Sequence, residues 1–558
     1  TFNWSVGTGK NPVYDRNDTN SHMSVLNDFL PVPEVRWNHE GLIYHEEAFT
    51  TLLEGSLSPY DENRNEQTPA ILMVKLDISN PANEEKTAHI WLKGEPFDQV
   101  MLHGSSILNK LDGHEYARAY IKLPEGISSS VIKLIGNAVC FPLSIPANQT
   151  VSVSFYVPFV GDLTNHYIDK ISGLDYSVER QRVISYWRQI VGECVPFNVP
   201  ERKFNEMARS VIPHIRMSTT KDPMSGLFMV PAAAFYYEVF ANESAFQIAY
   251  LDKIGDHQTA ASYLETFLKL QGTVPLTGTY TGNQNSVFQG VKVSEEYNYT
   301  MGDYNLDHGT VLWALGNHYL MTRDSVWLNH AAPNMLRAAD WIIEQRNQTK
   351  AMNQDGVPEL HYGLLPAGHL EDNDDWGFWH AVNAYAYLGL YTTAEAFKMA
   401  GLPQANRLEK EAQRYLYDLE NSVKRSSELC PVVRLRNNTY VPFVPSKPYQ
   451  RFRNFGFIQT GYYSRYGKDA AFDAFLHRFS ATREVLYGPM VLITTGIIDP
   501  CDPLAEAILD DWEDNLTLSS SLGQNIHGIV DDEYWFSRGG MVFQPNLQKP
   551  IQAYLLRN

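Results

Sequence analysis

The sequence predicts an α+β multidomain chain: an N-terminal antiparallel β-sandwich, a linker helix, and then a toroid of helical hairpins. Three observations predict it. Residues 1–174 hold short runs of alternating apolar residues separated by Asn, Pro and Gly clusters, with no helical period. Residues 175–200 switch to a 3.6-residue period and then to prolines. From 201 to 558 the helical period persists almost without a break, and successive helices alternate in character.

In the first block, Ala70–Asp77 and Val151–Phe159 are the clearest strands, with β-branched residues on alternate positions. Val35–Ile43 and His89–Leu92 are weaker strands of the same kind. In the linker, Val178, Val183, Ile184, Trp187 and Ile190 share one helical face, and Pro196 and Pro200 end the segment. The third block predicts helices near 203–219, 234–254, 256–271, 305–321, 325–346, 375–400, 403–424, 485–498, 503–515 and 541–557. Gln404–Lys424 is strongly amphipathic, as an outer helix should be, whereas Ala234–Ile254, Asn305–Leu320 and Asp375–Leu390 are apolar nearly all round, as inner helices should be. Outer helices following inner ones in turn make a toroid. Connections from inner to outer helices are short. Those from outer to inner (219–233, 272–304, 347–374, 425–484, 516–540) are long, and should gather on one face.

Composition limits the function classes. A net charge of −19 over 558 residues argues against nucleic acid, whose phosphates call for Lys and Arg patches. No apolar run approaches the roughly 20 residues of a membrane helix. The four cysteines (Cys140, Cys194, Cys430, Cys501) are far apart and make no metal or redox motif. The chain begins at Thr1 without a leader, so either a signal peptide has been removed or the sequence has been trimmed; N-x-S/T sequons, among them Asn148, Asn242, Asn298 and Asn515, are common by chance and say nothing of secretion. An extracytoplasmic protein is the expectation, periplasmic or secreted.

One stretch concentrates chemistry. Glu371, Asp372, Asp374 and Asp375 lie in a loop that runs directly into a buried helix, beside Trp376 and Trp379 and after His369. Helix capping accounts for one or two such acids but not for four in five positions. A general acid needs its pKa raised by burial or by neighbouring like charge, and a packed acid cluster beside aromatics supplies both. Asp372, Asp374 and Gly377 match the start of an EF-hand loop, but Trp376 and Asn383 break it; no metal or cofactor is expected, with an irregular calcium site left open. Asp531, Asp532 and Glu533, next to Trp535 and Arg538, are the best second carboxylate set. Cleavage of a glycosidic bond needs two carboxyls, roughly 5–5.5 Å apart for retention or 6.5–9.5 Å for inversion. Asp303, Tyr304 and His308 are candidate substrate contacts in the loop and helix start at 272–321.

A β-sandwich, a linker helix and a helical toroid resemble the six-hairpin (α/α)6-barrel glycosidase superfamily, which includes glucoamylase-like, trehalase-like, rhamnosidase-like and disaccharide-phosphorylase-like enzymes. The likeness covers the whole chain in architecture and is narrower in motif, at Tyr250–Gln271, Gly363–Leu390 and Val542–Arg557. It implies a carbohydrate substrate, a general acid in the loop from helix five to helix six, here 347–374, and a base in the loop from eleven to twelve. Ten helices make five hairpins, so either residues beyond Asn558 or a second chain completes the ring, or two helices are merged within 425–484. In that last case the base comes from Asp531, Asp532 or Glu533. The leading expectation is an inverting, exo-acting glycoside hydrolase. Its rivals are a disaccharide phosphorylase, a polysaccharide lyase on a similar toroid, and a non-catalytic carbohydrate-binding protein.

Overall fold

The computed structural model describes residues 2–7, 21–59, 61, 63–94, 100–111, 114–136, 138–159, 165–230, 239–290, 304–370, 376–435, 437–451, 488–517 and 544–557. By their internal contacts these divide into two units, Thr1–Gly226 and Leu227–Asn558.

The first unit is the expected antiparallel β region. A four-stranded sheet runs in the spatial order Phe2–Gly7, Lys86–Gly94, Ala138–Ile145, Lys133–Ile135. An eight-stranded sheet runs His22–Val25, Pro33–His39, Leu42–Leu52, Ala70–Ser79, Thr150–Phe159, His114–Lys122, Ser106–Leu111, Val100–His103. Residues of both sheets share one core, with Ile90, Leu92, Phe141 and Leu143 from the smaller and Tyr44, Leu76, Ile78 and Phe155 from the larger. That is sandwich packing. The strand Ala70–Ser79 shows how its pleat serves two cores. Val74, Leu76 and Ile78 face the sandwich, while Ile71 and Met73 on the opposite face pack with Phe49 and Tyr156 against Tyr176, Val183 and Ile184.

Those last three residues belong to the linker helix. Helix α1 is Asn165–Ser172 and helix α2 is Tyr176–Glu193. Asp175 caps α2 by accepting from the Ser177 and Val178 amides at 2.8 and 3.0 Å. Arg180 makes a bidentate pair with Glu47, both bonds 2.6 Å, and the Tyr176 hydroxyl donates to the same carboxylate at 2.9 Å. Helix α3, Arg202–Ser218, falls within the first unit by its contacts. Val35–Ile43 corrects the expectation of one strand. It is a hairpin, because Glu40 (φ 51°) and Gly41 (φ 73°) turn the chain between Pro33–His39 and Leu42–Leu52.

The second unit alternates helices as the periodicity predicts. The inner helices are α4 (Ala241–Lys253), α6 (Leu306–Thr322) and α8 (His380–Met399); the outer ones are α5 (His257–Leu270), α7 (Ser325–Gln348) and α9 (Ala405–Glu428). Further on come α10 (Met490–Thr494), α11 (Pro503–Asp511), which runs on as a π-helical turn, and α12 (Gln544–Arg557). Helix α6 packs on α4 and α8, α10 on α8 and α12, so the inner helices follow one another round a common centre. The α6–α8 seam is glycine-dependent. A Cβ on Gly309 would lie 2.5 Å from the Ala386 nitrogen, and one on Gly389 would lie 2.6 Å from the Gly309 carbonyl. No helix among the described residues is long and apolar enough to cross a membrane. All four cysteines are free.

Candidate active site

The long connections meet at the N-terminal ends of the inner helices. Gly278 of the 272–304 loop pairs with Gly368 of the 347–374 loop in an isolated bridge, and the Thr279 amide donates to the Ala367 carbonyl at 2.7 Å. Asn305 ties the same point down, its amide donating to Thr277 O and Tyr280 Oη, both at 3.0 Å. The 425–484 excursion joins them, since the His380 amide donates to Ser446 O at 2.9 Å. Three long loops therefore share one face; the fourth, 516–540, lies almost wholly outside the described residues, and none of the described residues of 219–233 enters this cluster of bonds.

At that face α8 begins. His380 is buried, which lowers its pKa to about 4, and its Nδ1 lies 3.0 Å from Pro445 O. As a neutral imidazole it donates there and fixes the excursion on the helix start. The buried Trp379 ring is covered by the Lys447 ammonium at 4.3 Å from its centroid, and Lys447 also donates to Trp376 O at 3.5 Å. Gly377 leaves room for that side chain, because a Cβ there would fall 2.7 Å from Lys447 Cδ. Alongside, His361 stacks on Phe378 at 4.2 Å and donates from Nδ1 to Tyr449 Oη at 2.7 Å; Tyr449 in turn donates to Glu359 at 3.2 Å. Burial pushes the His361 pKa down, with the Glu359 charge opposing.

Glu371, Asp372, Asp374 and Asp375 lie outside the described residues, but both flanks of the stretch are fixed. His369 pairs with Trp376 and Gly368 with Gly377 in a two-stranded ladder. The His369 ring meets Trp376 edge-on at 4.9 Å, and Trp376 is 43% exposed. An exposed tryptophan at such a rim is free to stack on a ligand.

Below the rim, side chains from four inner helices converge. Phe246 of α4 lies 5.3 Å from Trp313 of α6 and 5.8 Å from Tyr385 of α8. Lys549 of α12 reaches the same place, its Nζ 3.0 Å from Tyr385 Oη and 5.5 Å from the Phe246 centroid. Tyr385 and Lys549 are buried, whereas Phe246 and Trp313 are only half-buried although they sit on inner helices. On α4 the half-buried residues Glu243, Phe246, Gln247 and Tyr250 recur at helical spacing, between buried Asn242, Ala245, Ile248 and Ala249. Through Phe246 this stripe faces Trp313 and Tyr385. Glu243, a carboxylate overlooked in the sequence reading, lies in the same stripe, in the first turn of α4. The signal was present in ANESAFQIAY but was hidden by the apolar character of the whole helix.

The substrate contacts expected at the start of α6 take other places. Tyr304 is buried, edge-on to Phe240 at 5.6 Å. His308 is buried with both nitrogens engaged. Nδ1 accepts from the Phe288 amide at 3.0 Å and Nε2–H donates to Ala338 O at 3.2 Å, while burial lowers its pKa to about 4. It holds the wall behind the mouth and has no nitrogen left for a sugar. Asp307 beside it accepts from the Asn242 amide (3.0 Å), the Asn242 side chain (2.8 Å) and Gly290 N (3.0 Å). Burial raises its pKa to about 7 against those hydrogen bonds. Asn242 is thus a buried structural residue and not an accessible glycan acceptor. Asp303, Asp532, Glu533, Trp535 and Arg538 lie outside the described residues. Among the described residues no group of three or more His, Cys, Asp or Glu is arranged to hold a metal ion.

No protein-family model matches the chain, and no curated protein matches it in sequence. Solved structures do. A bacterial glucoamylase complexed with acarbose aligns over 91% of this chain and 72% of its own, at 12% identity and a TM-score of 0.51. A protein described as a kojibiose phosphorylase from human microbiome aligns over 94% of this chain and 73% of its own, at 8% identity and a TM-score of 0.40. With an antiparallel β region leading into alternating inner and outer helices, this chain has a glucoamylase-like fold.

Proposed function

We propose that the protein is a glycoside hydrolase that binds a sugar chain end in the centre of its helical ring. The observation that carries the reading is the convergence of Phe246, Trp313, Tyr385 and Lys549 beneath the rim where the flanks of the acid stretch are held. Aromatic faces stack on the C–H faces of sugars, and Lys549 and Glu243 supply a donor and an acceptor for hydroxyls. Exo-action belongs to this reading, with a chain end entering from the face where the long loops gather.

In this reading one of Glu371, Asp372, Asp374 and Asp375 protonates the leaving oxygen. A second carboxylate, from Asp532 or Glu533, activates a water on the opposite face of the sugar, giving inversion. Glu243 is the carboxylate that the ring itself presents, and it competes with them for that role. No metal or cofactor is required. Exposed Asn148, in a turn at φ 57°, is an accessible sequon consistent with an extracytoplasmic protein; glycan mapping of the secreted chain tests this.

Lys549 also favours a second reading. A buried ammonium at the ring centre is suited to an anion, so phosphate in place of water would make the enzyme a phosphorylase. A panel of glycosides assayed with and without phosphate separates the two. Release of reducing sugar without phosphate supports hydrolysis, and sugar 1-phosphate formed only with phosphate supports phosphorolysis. No turnover of any glycoside under either condition would remove both.

A further inference from the structure

The flank of the outer helix α9 carries a second cleft. It has a volume of about 430 Å³ and is walled by Lys410, Gln413, Arg414, Tyr417 and Asp418, facing Lys350 and Tyr362 from the segment after α7. The five α9 residues recur at helical spacing and form one face; Leu408, Ala412, Tyr415 and Leu419 on another face are buried. The cleft is therefore built by an outer helix and is separate from the ring centre. Its volume falls in the roughly 300–1,000 Å³ range of small-ligand sites.

Its charge runs against that of the chain. The sequence as a whole carries −19, yet three cations line this cleft against one carboxylate. That carboxylate is already engaged, because Asp418 accepts from the buried Arg346 at 2.7 Å. Arg346 is held in turn by Gly363 O at 2.8 Å and by the face of Tyr415 at 3.9 Å, which makes the back wall rigid. Lys350 donates to Asn347 at 2.7 Å and Arg414 to Glu411 at 2.6 Å. Lys410, the Gln413 amide and the hydroxyls of Tyr362 and Tyr417 have no partner among the described residues.

We propose that this cleft is a non-catalytic binding site for an acidic sugar, a hexose ring bearing a carboxylate or a phosphate. Lys410, Lys350 and Arg414 meet the anionic oxygens. Tyr417 and Tyr362 offer apolar ring faces with hydroxyl tips, and Gln413 offers an amide for the sugar hydroxyls. Engagement here would hold an acidic polymer on the outside of the ring, independently of any turnover at its centre.

The test is titration of the full chain, by calorimetry or ligand-observed NMR, with glucuronate, glucose 6-phosphate and glucose. Saturable binding of an anionic sugar, at least tenfold tighter than glucose and weakened by salt, is expected. Glucuronate binding tighter identifies a carboxylate as the anion, and glucose 6-phosphate binding tighter identifies a phosphate. Lys410→Glu and Tyr417→Ala should each weaken binding about tenfold, while Glu243→Gln should leave it unchanged. Both substituted positions in the cleft are exposed, so the variants should fold, and thermal melting checks this. Binding of glucose as tight as that of the anions, no saturation by any of the three, or binding indifferent to Lys410→Glu would overturn the proposal. Because the readout is binding, it stands or falls apart from glycoside turnover.

Discussion

The two ends of the inner helices are built on opposite rules. At the closed end, where inner helices pass to outer ones by short turns, Asp252 of α4 is fully buried. It accepts from His318 of α6 at 2.8 and 3.0 Å and from His257 of α5 at 2.9 Å. His318 packs edge-on to Trp327 of α7 at 4.3 Å, and Arg323, in the left-handed region at φ 60°, closes the turn. One carboxylate thus joins three helices with its oxygens satisfied. At the open end, polar and aromatic groups are left half-covered: Phe246, Trp313, Glu243 and the exposed Trp376. The same helices spend their polar residues on rigidity at one end and on binding at the other. Function needs the second end to be held still by the first.

Substitutions should separate the two ends. The largest expected effect is at the mouth. Asp372→Asn or Asp375→Asn should lower turnover of a true glycoside by about 100-fold or more with an unchanged melting temperature, as removal of a general acid does. If both variants turn over normally, the acid lies elsewhere, and Asp532→Asn and Glu243→Gln are then compared by the same assay.

The closed end should show the reverse. Asp252→Ala leaves the buried His318 and the half-exposed His257 without their acceptor and should cost about 3 kcal/mol of stability, measured by denaturant unfolding. The residual folded protein should keep its KM. A loss of activity with no loss of stability would mean that this end, too, serves the chemistry.

A moderate effect is expected from the ring floor. Trp313→Ala should raise KM about tenfold, roughly 1.4 kcal/mol of lost stacking, with a smaller change in kcat. Equal KM values for the variant and the parent would place the sugar away from the floor.

A further effect is on pH dependence, and its sign can be worked out. His308 and His380 have folded pKa values near 4, below their ordinary value of 6.5, so between those limits the unfolded chain binds protons that the folded one does not. Each contributes stability that rises with pH across that window, by about 1.4 kcal/mol per pH unit. Asp307, with a folded pKa near 7 against 3.8, has the opposite sign and loses stability from about pH 4 to 7. Two groups against one should leave a net rise between pH 4 and 6.5. Asp307→Asn should make that rise about twice as steep, as urea midpoints measured across the range would show. A slope that Asp307→Asn leaves unaltered would mean that Asp307 is ionised in the folded state.

Much of the fold was legible because its causes are local. The predicted helices at 256–271, 305–321 and 325–346 are found at 257–270, 306–322 and 325–348, since the burial period of a packed helix is written in consecutive residues. The hairpin inside Val35–Ile43 was missed because Glu40 occupies a left-handed position that favours Asn or Gly, so the turn carried only half its usual signature. His308 looked like a contact because a polar residue at a helix start beside acids is ambiguous. Its two partners, Phe288 N and Ala338 O, lie 20 and 30 residues away in the chain.

By itself the sequence determined the order of the architecture, strands first and helices after, and which helices are inner. Alternation, periodicity and the width of an apolar face are properties of short segments, and neighbours seldom override them when every segment agrees. Only the tertiary structure decided which face of an inner helix turns to the centre of the ring. Helix α4 is apolar nearly all round, so its own residues do not say which face Glu243 and Phe246 turn to. Phe246 faces the centre because Trp313, Tyr385 and Lys549, up to 303 residues further along the chain, arrive there.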